Sequence, residues 1–489
     1  MKRFVAASLL ILSCIASVCA TGIGGAGMKI KVKLENYAEK ELLLGFHYGE
    51  KQYVKDTAVI DADGYFTFDA DTVLAPGVYL LVMKPSNNYL QVLLPEDDQD
   101  FTITTDVNDL VGKMKVKGSD DNTVFYDYLR FLNKYRPEAD SLKAKITRAK
   151  GNEADSVKYT RELEGLDKIV KKYQLDMIAK YPKSVCARMT KASLDPEIPE
   201  FDGKDEQEKA RRRYYWIMAH YFDNIDIADP ALLRSPVLHP KVHDYITKYV
   251  PQHPDSVNIA LDILFGKLQK NQDNFKYFLV HFLNHYAKAQ VVGFDACYVH
   301  IALEYYCKGL ASWAKKEDIE KICDNARRLE PILIGKTAPN IVVYDRKGEP
   351  HALWDVDADY TVLFFWAPDC GHCKKAAPFM IEFAQKYKDK GVKVFAVCTA
   401  VAKTIEEKDG PECWKGVEEK GFTDDLFMNL VDPLLRSKYK TLYDVQSTPQ
   451  IFILNREHKI LMKRIGAEQL VGNVMDEVMK AEEEKKKKK

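Results

Sequence analysis

The chain has no excess of charge of either sign: 72 lysines and arginines stand against 72 aspartates and glutamates. That balance removes the electrostatic reason to expect nucleic acid or an anionic membrane surface as a partner. The one charge block, the lysine run 485–489, follows Glu482, Glu483 and Glu484 and reads as a solvated helix end. Long apolar runs are scarce too. After the first twenty residues there is no stretch of about 18 apolar residues, so nothing there reads as a membrane span. Cysteine is sparse: ten in 489 residues cannot make a disulfide scaffold, and the core must come from ordinary packing. No repeat of fixed period appears, so a solenoid has no support.

What is present begins at the N-terminus. Lys2 and Arg3 precede the apolar run "FVAASLLILSCIASV", and small residues surround Ala20 before the glycine-rich "TGIGGAG". This pattern predicts a signal peptide over 1–20 that is cleaved after Ala20. An alternative is cleavage before Cys14, since "ILSC" is similar to a lipobox and would leave Cys14 as a lipid anchor. Loss of the signal removes Cys14 and Cys19. The remaining cysteines are 186, 297, 307, 323, 370, 373, 398 and 413. In an exported chain these are free to oxidise.

Residues 28–118 alternate with period two in short runs ("KIKVKLEN", "GVYLLVMK", "DFTITTD") separated by turn residues, which predicts an N-terminal antiparallel β-sandwich. "DADG" at 61–64 imitates the start of a calcium loop, but the rest of the loop is missing and a hairpin turn is the expectation. At Gly118-Ser119-Asp120 the period changes to three and four. Residues 120–330 therefore read as a central all-α region, broken at 194–199, 230–240 and 251–254. Its aromatic stripes read as core. The pairs His281/His285 and His239/His243 have helical spacing but no neighbouring carboxylate or cysteine, so no metal is expected there. The region 333–482 alternates strand and helix and reads as a C-terminal α/β domain. That alternation is complete from 331 onward, so residues 331–489 are expected to fold alone.

"WAPDCGHCKKAAP" at 366–378 carries the chemistry. A zinc site would need a second Cys-x-x-Cys, and there is none. A redox dithiol needs a strand that delivers one thiol at its end and a helix that begins there. The order of residues provides both. The amides at a helix start favour thiolate at Cys370, and Cys373 is close enough in sequence to resolve a mixed disulfide.

With "FFWAPDCGHCKKAAP", Pro378 and "STPQIFIL" at 447–454, the region resembles the thioredoxin superfamily. "IGKTAPN" at 334–340 and an insertion over 401–428 are similar to its TlpA/ResA branch of exported thiol–disulfide oxidoreductases, of the multidomain Gram-negative type. The resemblance implies a thioredoxin fold over 333–482, an attacking thiolate at Cys370 and a resolving thiol at Cys373. It also implies a substrate-facing turn at Thr448 and Pro449 with a cis bond, and a substrate contact at Trp366. No bound cofactor is implied. Partners would be protein disulfides and a membrane-borne thiol donor, and the place of action would be the periplasm. His372, when protonated, would stabilise the thiolate. The family's buried acid six residues before the first cysteine is replaced by Phe364, with Glu382 as a candidate substitute, and Asp369 stands where tryptophan is usual. Cys398 precedes the insertion, Cys413 lies within it, and the two could bridge. Cys186, Cys297, Cys307 and Cys323 lie on expected helices, where buried free thiols are common. The leading reading is a reductase or isomerase. Its alternatives are a thiol peroxidase of the same superfamily and a non-catalytic polypeptide- or glycan-binding protein.

Overall fold

The computed structural model describes residues 27–149, 153–404, 407 and 410–488, so the signal peptide 1–20 and Cys14 lie outside the described residues. The chain divides into two compact units, Met1–Val242 and His243–Lys489.

In the first unit, eight strands form two four-stranded sheets. They are β1 (Met28–Glu35), β2 (Glu41–Tyr48), β3 (Lys51–Val59) and β4 (Phe66–Ala70), then β5 (Gly77–Met83), β6 (Asn88–Leu94), β7 (Asp100–Asp106) and β8 (Lys115–Lys117). The strand orders are β4-β1-β7-β8 and β3-β2-β5-β6. Alternation sets the faces. On β1, Met28, Ile30, Val32 and Leu34 are buried while Lys29, Lys31 and Glu35 are exposed. Ile30 and Val32 share one core with Leu42, Leu44 and Leu81 of the other sheet. The expected antiparallel sandwich needs one correction: β1 and β7 pair in parallel, from Lys29 opposite Asp100 to Glu35 opposite Asp106. These strands are joined by a long crossover through the second sheet, and only a hairpin forces antiparallel pairing. The Asp61–Gly64 turn closes the Ile60–Phe66 bridge and carries the chain from one sheet to the other. Asp61 Oδ1 is occupied there by the amides of Asp63 and Tyr65, at 2.9 and 2.8 Å. Ser119 caps the helix Asp120–Arg148 by accepting from the Asn122 amide, which is why the period changes at that serine.

The second unit holds a seven-stranded sheet in the order β10-β9-β13-β12-β11-β14-β15. Its strands are β9 (Val342–Tyr344), β10 (Pro350–Ala352), β11 (Tyr360–Trp366), β12 (Val392–Cys398), β13 (Phe427–Val431), β14 (Gln450–Asn455) and β15 (Ile460–Lys463). β11, β12 and β13 run parallel, and β14 joins β11 antiparallel. All seven residues of β11 are buried, as expected for a central strand covered on both faces.

The helical residues do not stand as one body over 120–330; they divide between the units at 242/243. In the second unit, Val292 packs against the core that holds β11 and the helix Gly371–Tyr387. Lys463, 1% exposed, meets Asp295 at 2.5 Å. The expectation of free thiols at Cys307 and Cys323 is also corrected. They form a disulfide with Cα atoms 5.8 Å apart, whereas Cys186 and Cys297 are free and buried. His243 Nδ1 lies 3.0 Å from His281 Nε2, so these rings partner each other across two helices, away from the spacing seen in sequence.

Candidate active site: the Cys370–Cys373 dithiol

β11 ends at Trp366, and after a short loop the helix Gly371–Tyr387 begins with Cys370 as its N-cap. That position leaves the sulfur facing the orphan amides of the first helical turn. The Cys373 N–H donates to Cys370 Sγ at 3.3 Å, and the Cys370 thiol lies 3.3 Å from the Thr448 carbonyl oxygen. The Thr448–Pro449 bond is cis, as the resemblance implied. Cys370 is half-buried, Cys373 is fully buried, and neither sulfur is bonded to another.

The two thiols are driven apart electrostatically. Burial acts to raise the Cys370 thiol. Hydrogen bonds from the side chains of Cys373 and Thr448 and from the amides of Cys373 and His372 outweigh it and lower its pKa. Burial, reinforced by the hydrogen bond with Cys370, pushes the Cys373 thiol up to about 11. One sulfur is thus accessible and inclined to ionise, and the other is recessed and protonated.

The surrounding expectations fare unevenly. His372 is exposed, and its backbone amide acts on Cys370. Asp369 is exposed as well. Phe364 is fully buried in the same core as Cys373, so an apolar side chain occupies the position where the resemblance placed an acid. Glu382 does not substitute. It is exposed, nine positions after Cys373, which is about two and a half helical turns and therefore the opposite face. Trp366 is corrected too. It is 1% exposed, and as the residue two beyond Phe364 it shares that inward face, so it backs the loop and offers no surface to a substrate.

The bridge that the sequence allowed between Cys398 and Cys413 forms, and it lies behind Trp366. Cys398, paired in register with Trp366 across the parallel strands, is disulfide-bonded to Cys413. The bond fastens the helix Pro411–Lys420 over the loop before Cys370. Lys420 Nζ donates to the Pro368 carbonyl at 2.7 Å and sits 5.2 Å from the Trp366 ring centre. Gly416 lets the two segments touch: a Cβ there would lie 2.9 Å from Pro368 Cβ. The proximity of Cys398 and Cys413 in sequence signalled the bridge, but nothing local signalled what the bridged helix covers.

A family model described as the AhpC/TSA family matches residues 334–462. Two models described as domains of unknown function, DUF4369 and DUF5106, match residues 28–125 and 171–329. The thiol-disulfide oxidoreductase ResA of Bacillus anthracis is 31% identical over 149 residues, 29% of this chain and 78% of the relative. ResA of Bacillus subtilis (strain 168) is 27% identical over 132 residues, covering 27% of this chain and 67% of the relative. A solved thioredoxin-like protein from Bacteroides caccae aligns with a TM-score of 0.42 at 20% identity, over 58% of this chain and 98% of its own.

Proposed function

The chain belongs to the thiol–disulfide oxidoreductases of the thioredoxin superfamily that include ResA, and from that premise we propose that it reduces or isomerises disulfides in exported proteins through Cys370 and Cys373. The observation that carries the proposal is the opposed ionisation of the two thiols at the helix start, with Cys370 lowered and Cys373 pushed up to about 11.

In the proposed reaction the Cys370 thiolate attacks one sulfur of a substrate disulfide. The Cys370–substrate S–S bond forms as the substrate's own S–S bond breaks, and the departing substrate thiolate carries the electron pair. Among the described residues no carboxylate is seen to act on Cys373, and in this reading the departing thiolate is the base that takes the Cys373 proton. Cys373 then attacks Cys370 Sγ and releases the second substrate thiolate, which is protonated from solvent. Two electrons have passed to the substrate and Cys370–Cys373 is oxidised. A dithiol donor, by our reading a membrane-borne one, returns the pair to the reduced state. Thr448 and Pro449 border Cys370 and would meet the substrate backbone.

The apolar run before Ala20 supports action in the periplasm, with anchoring through Cys14 as the variant of this reading. No helix among the described residues is long and apolar enough to cross a membrane. The role assignment predicts that Cys370→Ser abolishes reduction of insulin disulfides, whereas Cys373→Ser accumulates mixed disulfides with substrate. Non-reducing electrophoresis and mass spectrometry read both. Equal trapping by the two variants would overturn the roles, and turnover of hydrogen peroxide in preference to disulfides would favour a peroxidase.

A further inference from the structure

A cavity of ≈ 440 Å³ is bordered by Ser447 and Pro449, the two chain neighbours of Thr448, whose carbonyl oxygen lies 3.3 Å from Cys370 Sγ. Its lining is mostly polar, with apolar atoms added by Leu329 and Ile332 of the helical segment and by Phe452 and Ile465 of the sheet domain. Three charged side chains face it: Asp444, Lys463 and Arg464. Two are committed. Asp444 accepts from Gln446 at 2.9 Å and lies 3.7 Å from Arg328, while Lys463 is taken by Asp295 at 2.5 Å. Arg464 is exposed and, among the described residues, has no carboxylate within ion-pair distance. Its backbone is left-handed, at φ 56°, a conformation that non-glycine residues adopt rarely and that the fold must impose.

We propose that this cavity is a specificity pocket for the polypeptide flanking a substrate disulfide, and that Arg464 selects an acidic side chain there. This rests on the proposed disulfide exchange at Cys370. A substrate chain laid along 447–450 to reach Cys370 advances about 3.3 Å per residue. A side chain two or three residues from its cysteine therefore falls over the cavity. The few apolar side chains in its lining take the methylene stem, and the Arg464 guanidinium takes the carboxylate. The helical segment before the sheet domain thereby gains a role in recognition, since Leu329 and Ile332 make one wall of the pocket.

The test uses the full-length protein and pairs of disulfide-linked peptides that carry either glutamate or lysine three residues from the cysteine. A small neutral disulfide, hydroxyethyl disulfide, is assayed alongside. Its turnover by the wild-type protein reports on the dithiol reading itself, so that failure there is distinct from failure of the pocket. In the wild type, kcat/KM favours the glutamate peptide about fivefold, equivalent to about 1 kcal/mol, with the difference in KM. Arg464→Ala abolishes that preference and Arg464→Glu inverts it, while Arg456→Ala, at an exposed arginine paired with Asp357 and Asp359, keeps it. Equal rates for both peptides in the wild type, or an unchanged preference in Arg464→Glu, would overturn the pocket.

Discussion

Cys370 is lowered by hydrogen bonds whose donors are mostly within its own helical turn, so its ionisation depends on the backbone of that turn. A lowered pKa keeps the thiolate at pH values where an ordinary thiol is protonated, and a pKa of about 11 keeps Cys373 a thiol throughout that range. Iodoacetamide should therefore modify Cys370 at neutral pH and leave Cys373 unmodified, with the Cys370 rate falling only as pH drops below its lowered midpoint. His372 separates charge from backbone. His372→Ala keeps the amide and removes an exposed imidazole, so it should move the midpoint little. His372→Pro removes an amide that helps to lower Cys370, so it should move the midpoint upward. Proline is tolerated in the first turn, so the helix survives the change. Equal shifts in the two variants would restore the imidazolium as the main cause. The cysteines and Thr448-Pro449 were legible in the sequence because each is a local motif. The roles of Glu382 and Trp366 were not, since they depend on which face of a helix or strand each residue presents.

At the scale of elements, the helix Pro411–Lys420 fixes the loop that aims Cys370. Its hold has three parts: the Cys398–Cys413 bridge, the Lys420 hydrogen bond to Pro368, and the contact at Gly416. Gly416 is the sensitive point, because an added Cβ meets Pro368 at 2.9 Å and the Trp366 ring at 3.1 Å. Trp366 is fixed in a full core, so the strain passes to the loop. Gly416→Ala is expected to cost about 1–3 kcal/mol, the usual range for overpacking, and to slow alkylation of Cys370. Denaturant unfolding and the alkylation rate measure the two effects. Unchanged stability would show that the helix lifts freely and does not brace the loop. Elements of this kind are only half readable in advance. Alternation over 28–118 announced strands and the change at Ser119 announced helices, because both are periodic signals. The parallel β1–β7 pair joins residues with no common period, and Cys307 and Cys323, though only 16 residues apart, fall on expected helices where free thiols are common, so neither pairing was read.

At the scale of the whole molecule, the buried contact between Lys463 and Asp295 decides where the chain can be cut. The strand–helix alternation made 331–489 look self-sufficient, since every strand of the sheet lies within it. The side chains argue otherwise. Lys463 is 1% exposed at the end of β15, its partner Asp295 lies on the helix Asp295–Ile301, and Val292 lies against the same core. Burial lowers the Lys463 pKa while Asp295, and to a lesser extent Asp444, oppose the shift, so the ammonium depends chiefly on Asp295. A fragment starting at 331 leaves the lysine without it. We expect 243–489 to fold cooperatively and to keep its dithiol activity, and 331–489 to be markedly less stable. In the full chain, Asp295→Ala should cost about 3–5 kcal/mol, the usual penalty for leaving a buried charge unpaired. Adding Lys463→Met to that variant should recover most of the loss, because an apolar side chain of similar length needs no partner. Denaturant titration of the single and double variants measures the coupling. If the double variant is as unstable as Asp295→Ala alone, the cost arises from lost packing around Asp295, and the proposed boundary at 243 loses its electrostatic ground.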